Sequence, residues 1–383
     1  MPQNTGAPKK YTTSTKAQNP HRHGKGKIRT PPVVEAPPSF NPPQLTFPTQ
    51  ERLLDVFART FDDELSGPHL EPTIQKIKGD LFNRDFASAF GTEEHLSVYA
   101  ARWAPPRALC YSSIFNFLRH QFPSLLPAEA REKVAVVPEG TAQPEDELDQ
   151  RRRPRVRMMS VGGAAAELTS FAAFLASDPR APVGEITLVD SGSWASVVDR
   201  LQEKLVNPPQ LSKYASEAAI AASKPFISPD SLLTTFAQHD VLAVDKDCLA
   251  RLVGTEPLVV TMLFTLNELY TSGGIGKTTT FLLNLSACLA PGSVLLVVDS
   301  PGSYSEAGVG DKSKSYPMQW LLDHTLTKTV PDTWEKLESC DSVWFRLAES
   351  LRYPISLENM RYQIHLYRVR GPAKPAAEGQ EGS

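Results

Sequence analysis

From Arg155 onward the chain alternates between short apolar runs and helical runs, and that alternation limits its fold more than any other feature. "RVRMMSV" reads as a strand and "AELTSFAAFLA" as a helix. "GEITLVD" is a second strand and "WASVVDRLQEKL" a second helix. "LLTTFAQHDVL" contains a strand, "EPLVVTMLFTL" is a longer one, and the helix "TTFLLNLSACL" and strand "SVLLVVD" follow. Parallel neighbours need a crossover, usually a helix, so this order predicts an α/β domain whose parallel sheet is covered on both faces. The end departs from it. "DSVWFRL" and "RYQIHLYRV" are strand candidates with no helix between them, which suits an antiparallel addition at the sheet edge.

The residues before this domain differ in texture. Residues 1–49 form a proline-rich basic tail, expected to be disordered because it offers too little apolar surface to bury. Residues 1–50 carry +6, so the rest of the chain carries −9 against a total of −3. A basic tail on an acidic body fits a polyanionic partner, an import receptor or simple solubility. Residues 50–130 read as a helical subdomain: Leu53, Leu54, Phe57 and Phe61 fall at helical spacing, and Thr92 before Glu93-Glu94 marks a helix start. "PPRALCYSSIFNFLRHQF" reads as a further helix after Pro106. A charged loop at 131–155 separates these helices from the α/β domain at 156–370, and 371–383 reads as a second disordered tail. Cys110, Cys248, Cys288 and Cys340 lie far apart with no CxxC pair, so no metal is expected. The longest apolar run, Leu258–Leu266, is too short to cross a membrane, for which about twenty residues are needed. No secretory signal is expected.

"SGGIGKTTT" at 272–280 resembles a phosphate-binding loop, and "SVLLVVDSPG" resembles the strand that follows it in ParA/MinD-like ATPases. Two features oppose that reading. The leading position holds Ser272 where those ATPases have a lysine, and several strand–helix units precede the segment when most of the fold should follow it. The alternative is a glycine-rich connection between β and α segments.

The strand ends hold the better candidates. After the first strand, Gly162, Gly163 and Ala164 open a helix with small residues, which lets a ligand approach the backbone amides. The second strand ends in Asp190, placed to accept hydrogen bonds from ribose hydroxyls. The third ends near Asp240 and Val241, where an acid could meet an adenine amino group. The fourth ends in Asn267-Glu268-Leu269-Tyr270. Polar side chains at successive strand C-termini are where open α/β sheets bind ligands.

This order is similar to the seven-stranded Rossmann-like sheet of S-adenosylmethionine-dependent methyltransferases. Ser160 stands where that family often has an acid. The strings "LFNRDFASAFGTEEHLSVYAARWAPPRALCY", "SVGGAAAEL", "LFTLNELYTSG", "LLVVDSPGSYSE" and "YPISLENMRYQIHLYR" resemble a narrower group. They resemble the fungal enzymes that methylate ring nitrogen 3 of uridine in large-subunit (25S) rRNA. The resemblance implies S-adenosylmethionine as cofactor and large-subunit rRNA or a pre-ribosome as partner. It also implies a nuclear, nucleolar location, and a monomer is expected. Ser160, Gly162, Gly163, Ala164, Asp190, Asp240 and Val241 would then hold the cofactor.

The uracil imide holds its proton at neutral pH, so methylation needs a base. Glu268 is the first candidate, Asn267 a hydrogen-bonding partner and Tyr270 a stacking partner; Asp299 and Ser300 are second choices. The target base must be unpaired or flipped. Lys76, Lys78, Arg84, Arg102, Trp103, Arg107 and Arg119 could form an RNA-facing lid. A non-catalytic assembly factor that keeps the fold is the remaining alternative.

Overall fold

The first strand, β1 (Arg155–Val161), pairs in parallel with β2 (Val183–Asp190) on one side and with β4 (Val259–Leu263) on the other. β3 (Leu232–Gln238) extends the sheet beyond β2, and β5 (Val294–Asp299) extends it beyond β4. A computed structural model of the chain describes residues 40–123, 153–180, 182–302, 304–309 and 312–371. Most of the basic tail, most of the charged loop and all but the first residue of the C-terminal tail lie outside these residues.

The larger sheet has seven strands in the order β3-β2-β1-β4-β5-β9-β8. β8 (Trp334–Phe345) and β9 (Met360–Val369) are the expected antiparallel pair, with β9 antiparallel to β5. The chain leaves β1 toward β2 and β3, then returns to add β4 on β1's other side. That reversal opens a crevice at the strand C-termini. Alternation along each strand divides the core. Val156, Met158, Ile186 and Leu296 face one hydrophobic cluster, while Met159, Val161, Val189 and Leu295 face the other.

The N-terminal segment folds as α1 (Phe47–Thr60), α2 (Asp62–Ser66), α3 (Leu70–Phe82), α4 (Phe86–Ala89) and α5 (Glu93–Phe117). α1 begins at Phe47, with Pro48 in its first turn, earlier than the expected start at 50. Thr92 caps α5, its hydroxyl accepting the His95 amide at 3.1 Å. The helix expected to begin after Pro106 does not: α5 runs unbroken through Pro105 and Pro106. Pro105 lacks the N–H that would satisfy the Ala101 carbonyl four residues back. The Tyr353 hydroxyl donates to that carbonyl instead, at 2.8 Å.

The crossover helices are α6 (Ala165–Ala176), α7 (Ala195–Val206), the short α8 (Glu217–Ala222) and α9 (Lys246–Val253). After β4 come α10 (Leu266–Cys288) and, beyond β5, α11 (Met318–Asp323). The helices α1, α5, α6 and α7 share the first cluster, and α9, α10 and α11 the second. β4 is only five residues long, shorter than its apolar run suggested, because the chain turns into α10 at Leu266. A hairpin of β6 (Tyr304–Val309) and β7 (Lys312–Pro317) follows β5 and was not anticipated.

The glycine–lysine segment does not connect a strand to a helix. It lies inside α10, which is broken at Gly274 (φ 73°, ψ 172°). The Thr278 hydroxyl donates to the Leu269 carbonyl across the break at 2.9 Å, and Lys277 is exposed. A phosphate loop must follow its strand directly so that its amides converge on one anion. Here about two helical turns from Leu266 intervene, and Gly273 is close-packed against Leu242.

Candidate functional site

The C-terminal ends of β1, β2 and β4 surround a cleft of about 530 Å³, roofed by α5. Gly162 turns the chain out of β1 at φ 67°, and its amide donates to the Val189 carbonyl at 2.8 Å. A Cβ at Gly162 would collide with Thr265, and one at Gly163 with Ser160 and Glu167. Only glycine fits this turn. Ala164, Ala165 and Ala166 then line the cleft at the start of α6. Glu167 accepts the Ala164 amide at 2.9 Å, fixing that helix end.

Of the residues expected from sequence, Gly162, Ala164, Asp190 and Glu268 line this cleft. Asp190 accepts the Gly192 amide at 2.7 Å, and Trp194 hydrogen-bonds to the same carboxylate. Gly163 shapes the turn from behind. Ser160 is fully buried, and its Oγ accepts a hydrogen bond from Thr261 on β4 (2.9 Å), so it braces two strands. Asp240 is exposed beyond β3, closing a turn by accepting the Leu242 amide at 2.9 Å; Val241 packs into the second core cluster. The Asn267 amide donates to Asp299 at 2.9 Å, while its Oδ1 is buried with no hydrogen-bond partner among the described residues. Tyr270 is 2% exposed and packs with Leu282, Leu322 and Leu326 in the second cluster, so its ring is closed to a nucleobase. Asp299 also accepts the Ser300 amide at 2.7 Å. It therefore caps α10 beneath Glu268 and does not line the cleft.

Phe90, Tyr99, Glu167, Trp194 and Arg107 complete the walls. The first four were missed in the sequence, and Arg107 was placed in an outer lid. Phe90 and Tyr99 meet edge to face at 5.0 Å, and both approach Trp194, at 6.1 and 6.0 Å. The Arg107 guanidinium lies 5.0 Å from the Phe264 ring centre and hydrogen-bonds to the Tyr99 hydroxyl. Only Glu167 left a usable signal, as an acid in the first turn after "GGAAA". Nothing in one sequence tells which face of α5 will cover the strand ends. Of the other lid candidates, Arg119 pairs inward with Asp178 (3.3 Å) and Lys76 with Asp80 on its own helix (2.7 Å).

Three carboxylates thus share the cleft with one guanidinium. Burial raises Glu268 to about 8; Asp299 and Asp190 add to the rise, and Arg107 opposes it. Burial likewise raises Glu167 to about 7 and Asp190 to about 6, against the hydrogen bonds each accepts. Burial works against the charge on Arg107, but Tyr99, Tyr111, Glu167 and Glu268 outweigh it and hold the guanidinium protonated.

S-adenosylmethionine fits this donor set. Small residues at Gly162 and Ala164–Ala166 leave room beside the backbone. Asp190 keeps acceptor capacity beyond its bonds to Gly192 and Trp194. The acid excess and aromatic walls suit a sulfonium and an ammonium. Among the described residues no group of three His, Cys, Asp or Glu side chains could hold a metal, and no helix is long and apolar enough to cross a membrane.

The chain is similar to 25S rRNA (uridine(2843)-N(3))-methyltransferase of Saccharomyces cerevisiae: 32% identical over 347 residues, covering 84% of this chain and 86% of the relative. Among solved structures it matches the N-methyltransferase NodS from Bradyrhizobium japonicum with S-adenosylhomocysteine (11% identity, 56% of this chain and 78% of that one, TM-score 0.30). It also matches the 16S rRNA (adenine(1408)-N(1))-methyltransferase of Catenulisporales acidiphilia (14% identity, 63% and 100%, TM-score 0.33). Likeness at that level carries no weight. A family model described as "Putative SAM-dependent methyltransferase" matches residues 57–368. By that match and by its kinship to the yeast enzyme, this chain belongs to the S-adenosylmethionine-dependent methyltransferase family.

Proposed function

We propose that this protein methylates ring nitrogen 3 of a uridine in large-subunit rRNA. The observation that carries the reading is the extent of the similarity to the yeast uridine-N3 enzyme, 32% over 84% of the chain. A stretch that long takes in helices as well as sheet. S-adenosylmethionine supplies, when bound, a methyl group on a positively charged sulfur, open to in-line displacement. The protein's part is position, charge and proton transfer.

Asp190 holds ribose hydroxyls, and the small residues after β1 let the backbone approach the cofactor. Glu268 takes the imide proton. Its raised pKa, about 8, matches a base working near neutral pH. Arg107 faces the same space and offsets the negative charge that spreads onto the uracil carbonyl oxygens. Phe90, Tyr99 and Trp194 keep water from the reacting centre. Asn267 retains a buried acceptor without a partner among the described residues, beside Glu268 in the first turn of α10. Asp240 and Val241 lie just past the β3 end, on the side where the reading places the adenine. The enzyme acts on an unpaired or flipped base, in the nucleus, at the nucleolus, as a monomer.

Two measurements test this. Calorimetry with S-adenosylhomocysteine should show binding that Asp190→Ala weakens by tenfold or more, about 1.4 kcal/mol. No binding by the wild type would end the methyltransferase reading. Mass spectrometry of rRNA nucleosides from cells lacking the protein should show loss of 3-methyluridine. An unchanged level would remove the substrate assigned here and leave the cofactor reading intact.

A further inference from the structure

A second groove of about 560 Å³ adjoins the cleft and shares two of its walls, Arg107 and Phe264. Its other walls come from α5 (Arg102, Trp103, Pro106) and from the approach to β9 and that strand's first two residues (Glu358 to Arg361). Three arginines face one acid, Glu358, which pairs with Arg102. The Arg102 guanidinium is nearly buried, yet its Nη1 has no partner among the described residues. A buried donor left unpaired is costly unless a ligand meets it.

β8 lies beside the groove's Arg361 wall. Arg361 pairs directly with Trp344 across β8 and β9. The Trp344 ring is 52% exposed on this edge strand, with Arg361 at 5.8 Å from its centre and Arg346 at 5.0 Å. An exposed indole between two guanidinium groups is an uncommon thing to leave on a surface, since Trp usually buries its area. Its chemistry matches one kind of partner. A nucleobase stacks on the ring while the flanking cations meet phosphates, and the arrangement is indifferent to sequence.

We propose that single-stranded RNA reaches the methyl-transfer cleft along this track, with Trp344 as its outer stacking platform and Arg346 and Arg361 as phosphate contacts. Arg102 and Trp103 line the middle of the path, and Arg107 with Phe264 stands where the target base passes into the cleft. The track rests on the reading of the protein as an RNA methyltransferase and adds where the RNA lies.

The test is fluorescence anisotropy of a labelled, uridine-rich single-stranded RNA oligonucleotide with the full chain. Trp344→Ala should weaken binding roughly 5- to 150-fold, the range for loss of one base–aromatic stack. Arg361→Ala should reduce the slope of log affinity against log salt by about 0.7, one phosphate contact on a single strand. Tyr214→Ala, at a ring 83% exposed on the loop after α7, should change neither. S-adenosylhomocysteine affinity should be untouched by Trp344→Ala, which also reports that the variant is folded. Independently of any variant, 4-thiouridine RNA should crosslink to the peptide spanning residues 342–361. Equal RNA affinity in wild type and Trp344→Ala, no RNA binding by the wild type, or crosslinks confined to other surfaces would each overturn the track. If RNA binding fails in Trp344→Ala but the wild type methylates no uridine, the track stands and the reaction assigned above falls.

Discussion

Glu268 is where pH should act most visibly. Its folded pKa, about 8, lies above its ordinary value of 4.5 because burial disfavours the charged form. The sign follows from linkage. A raised pKa contributes stability that is complete below about 4.5 and is lost as pH rises through about 8. The protein alone should therefore melt at lower temperature as pH climbs through that window. Cationic S-adenosylmethionine stabilises the ionised carboxylates, so its affinity should rise over the same interval and its binding should release protons. Neutral S-adenosylhomocysteine should show much less of both. Calorimetry in buffers of different ionisation enthalpy separates the two ligands. Glu268→Gln should lower kcat by roughly 10²- to 10⁴-fold, the usual contribution of a general base, while S-adenosylhomocysteine still binds. Arg107 acts in the opposite sense on that carboxylate, since its charge holds the pKa down. Arg107→Gln should then move the rising limb of the pH–rate profile to higher pH as well as slow the reaction. A profile that keeps its midpoint would mean that the guanidinium does not reach Glu268 in the working enzyme.

Among the elements, α10 separates a structural glycine from an imitation of a phosphate loop. Gly274 holds φ 73° with open space around its Cα. Gly274→Ala should thus cost ~1–2 kcal/mol from backbone strain alone, read as a lower denaturation midpoint. Lys277→Ala, at an exposed side chain, should leave stability within about 0.5 kcal/mol and cofactor binding unchanged. A loss of binding in that variant would reopen the nucleotide-loop reading. The same elements show what the sequence could convey. β1 and β2 match the sequence strings because a short, largely apolar run bounded by turn residues is a local pattern, and the late antiparallel pair was visible for the same reason. α5 was not legible. Pro105-Pro106 is a local stop signal, and it is overridden by burial of the helix along its length and by a hydroxyl from Tyr353, some 250 residues later in the chain. In the candidate site, Gly162, Ala164, Asp190 and Glu268 could be found because strand ends can be counted. Tyr270 could not be assigned, because its helical phase depends on where α10 begins, and that phase points it into the core.

At the scale of the whole molecule, the N-terminal helices and the sheet are joined by one hydrophobic cluster. Phe57, Ala104, Ile114 and Phe115 belong to it together with Phe171, Phe174, Ile186 and Leu296. A forked ion pair ties α1 and α2 to the sheet layer: Arg200 on α7 meets both Glu64 carboxylate oxygens, at 2.7 and 2.9 Å, and also the Thr60 carbonyl. Arg119 reaches Asp178 from the other end of α5. The helices also supply Phe90, Tyr99, Ala104 and Arg107 to the cleft. A chain beginning at residue 153 would therefore expose the outer face of α6, where Phe174 is fully buried against Phe115 and Phe122, with ring centres 6.3 and 5.4 Å away. It would lose at the same time one wall of the candidate cofactor cleft. A side chain of that size contributes about 1.5–3 kcal/mol when buried, while a domain as a whole is stable by only about 5–15 kcal/mol. Such a truncation should then fail to give a cooperative thermal transition and should not bind S-adenosylhomocysteine. Removing residues 1–39 alone, which precede the cluster, should leave both the melting temperature and S-adenosylhomocysteine binding in place. A 153–383 fragment that melts cooperatively and binds S-adenosylhomocysteine with wild-type affinity would show that α1–α5 form an appendage, and Tyr99 and Arg107 would lose their place in the site.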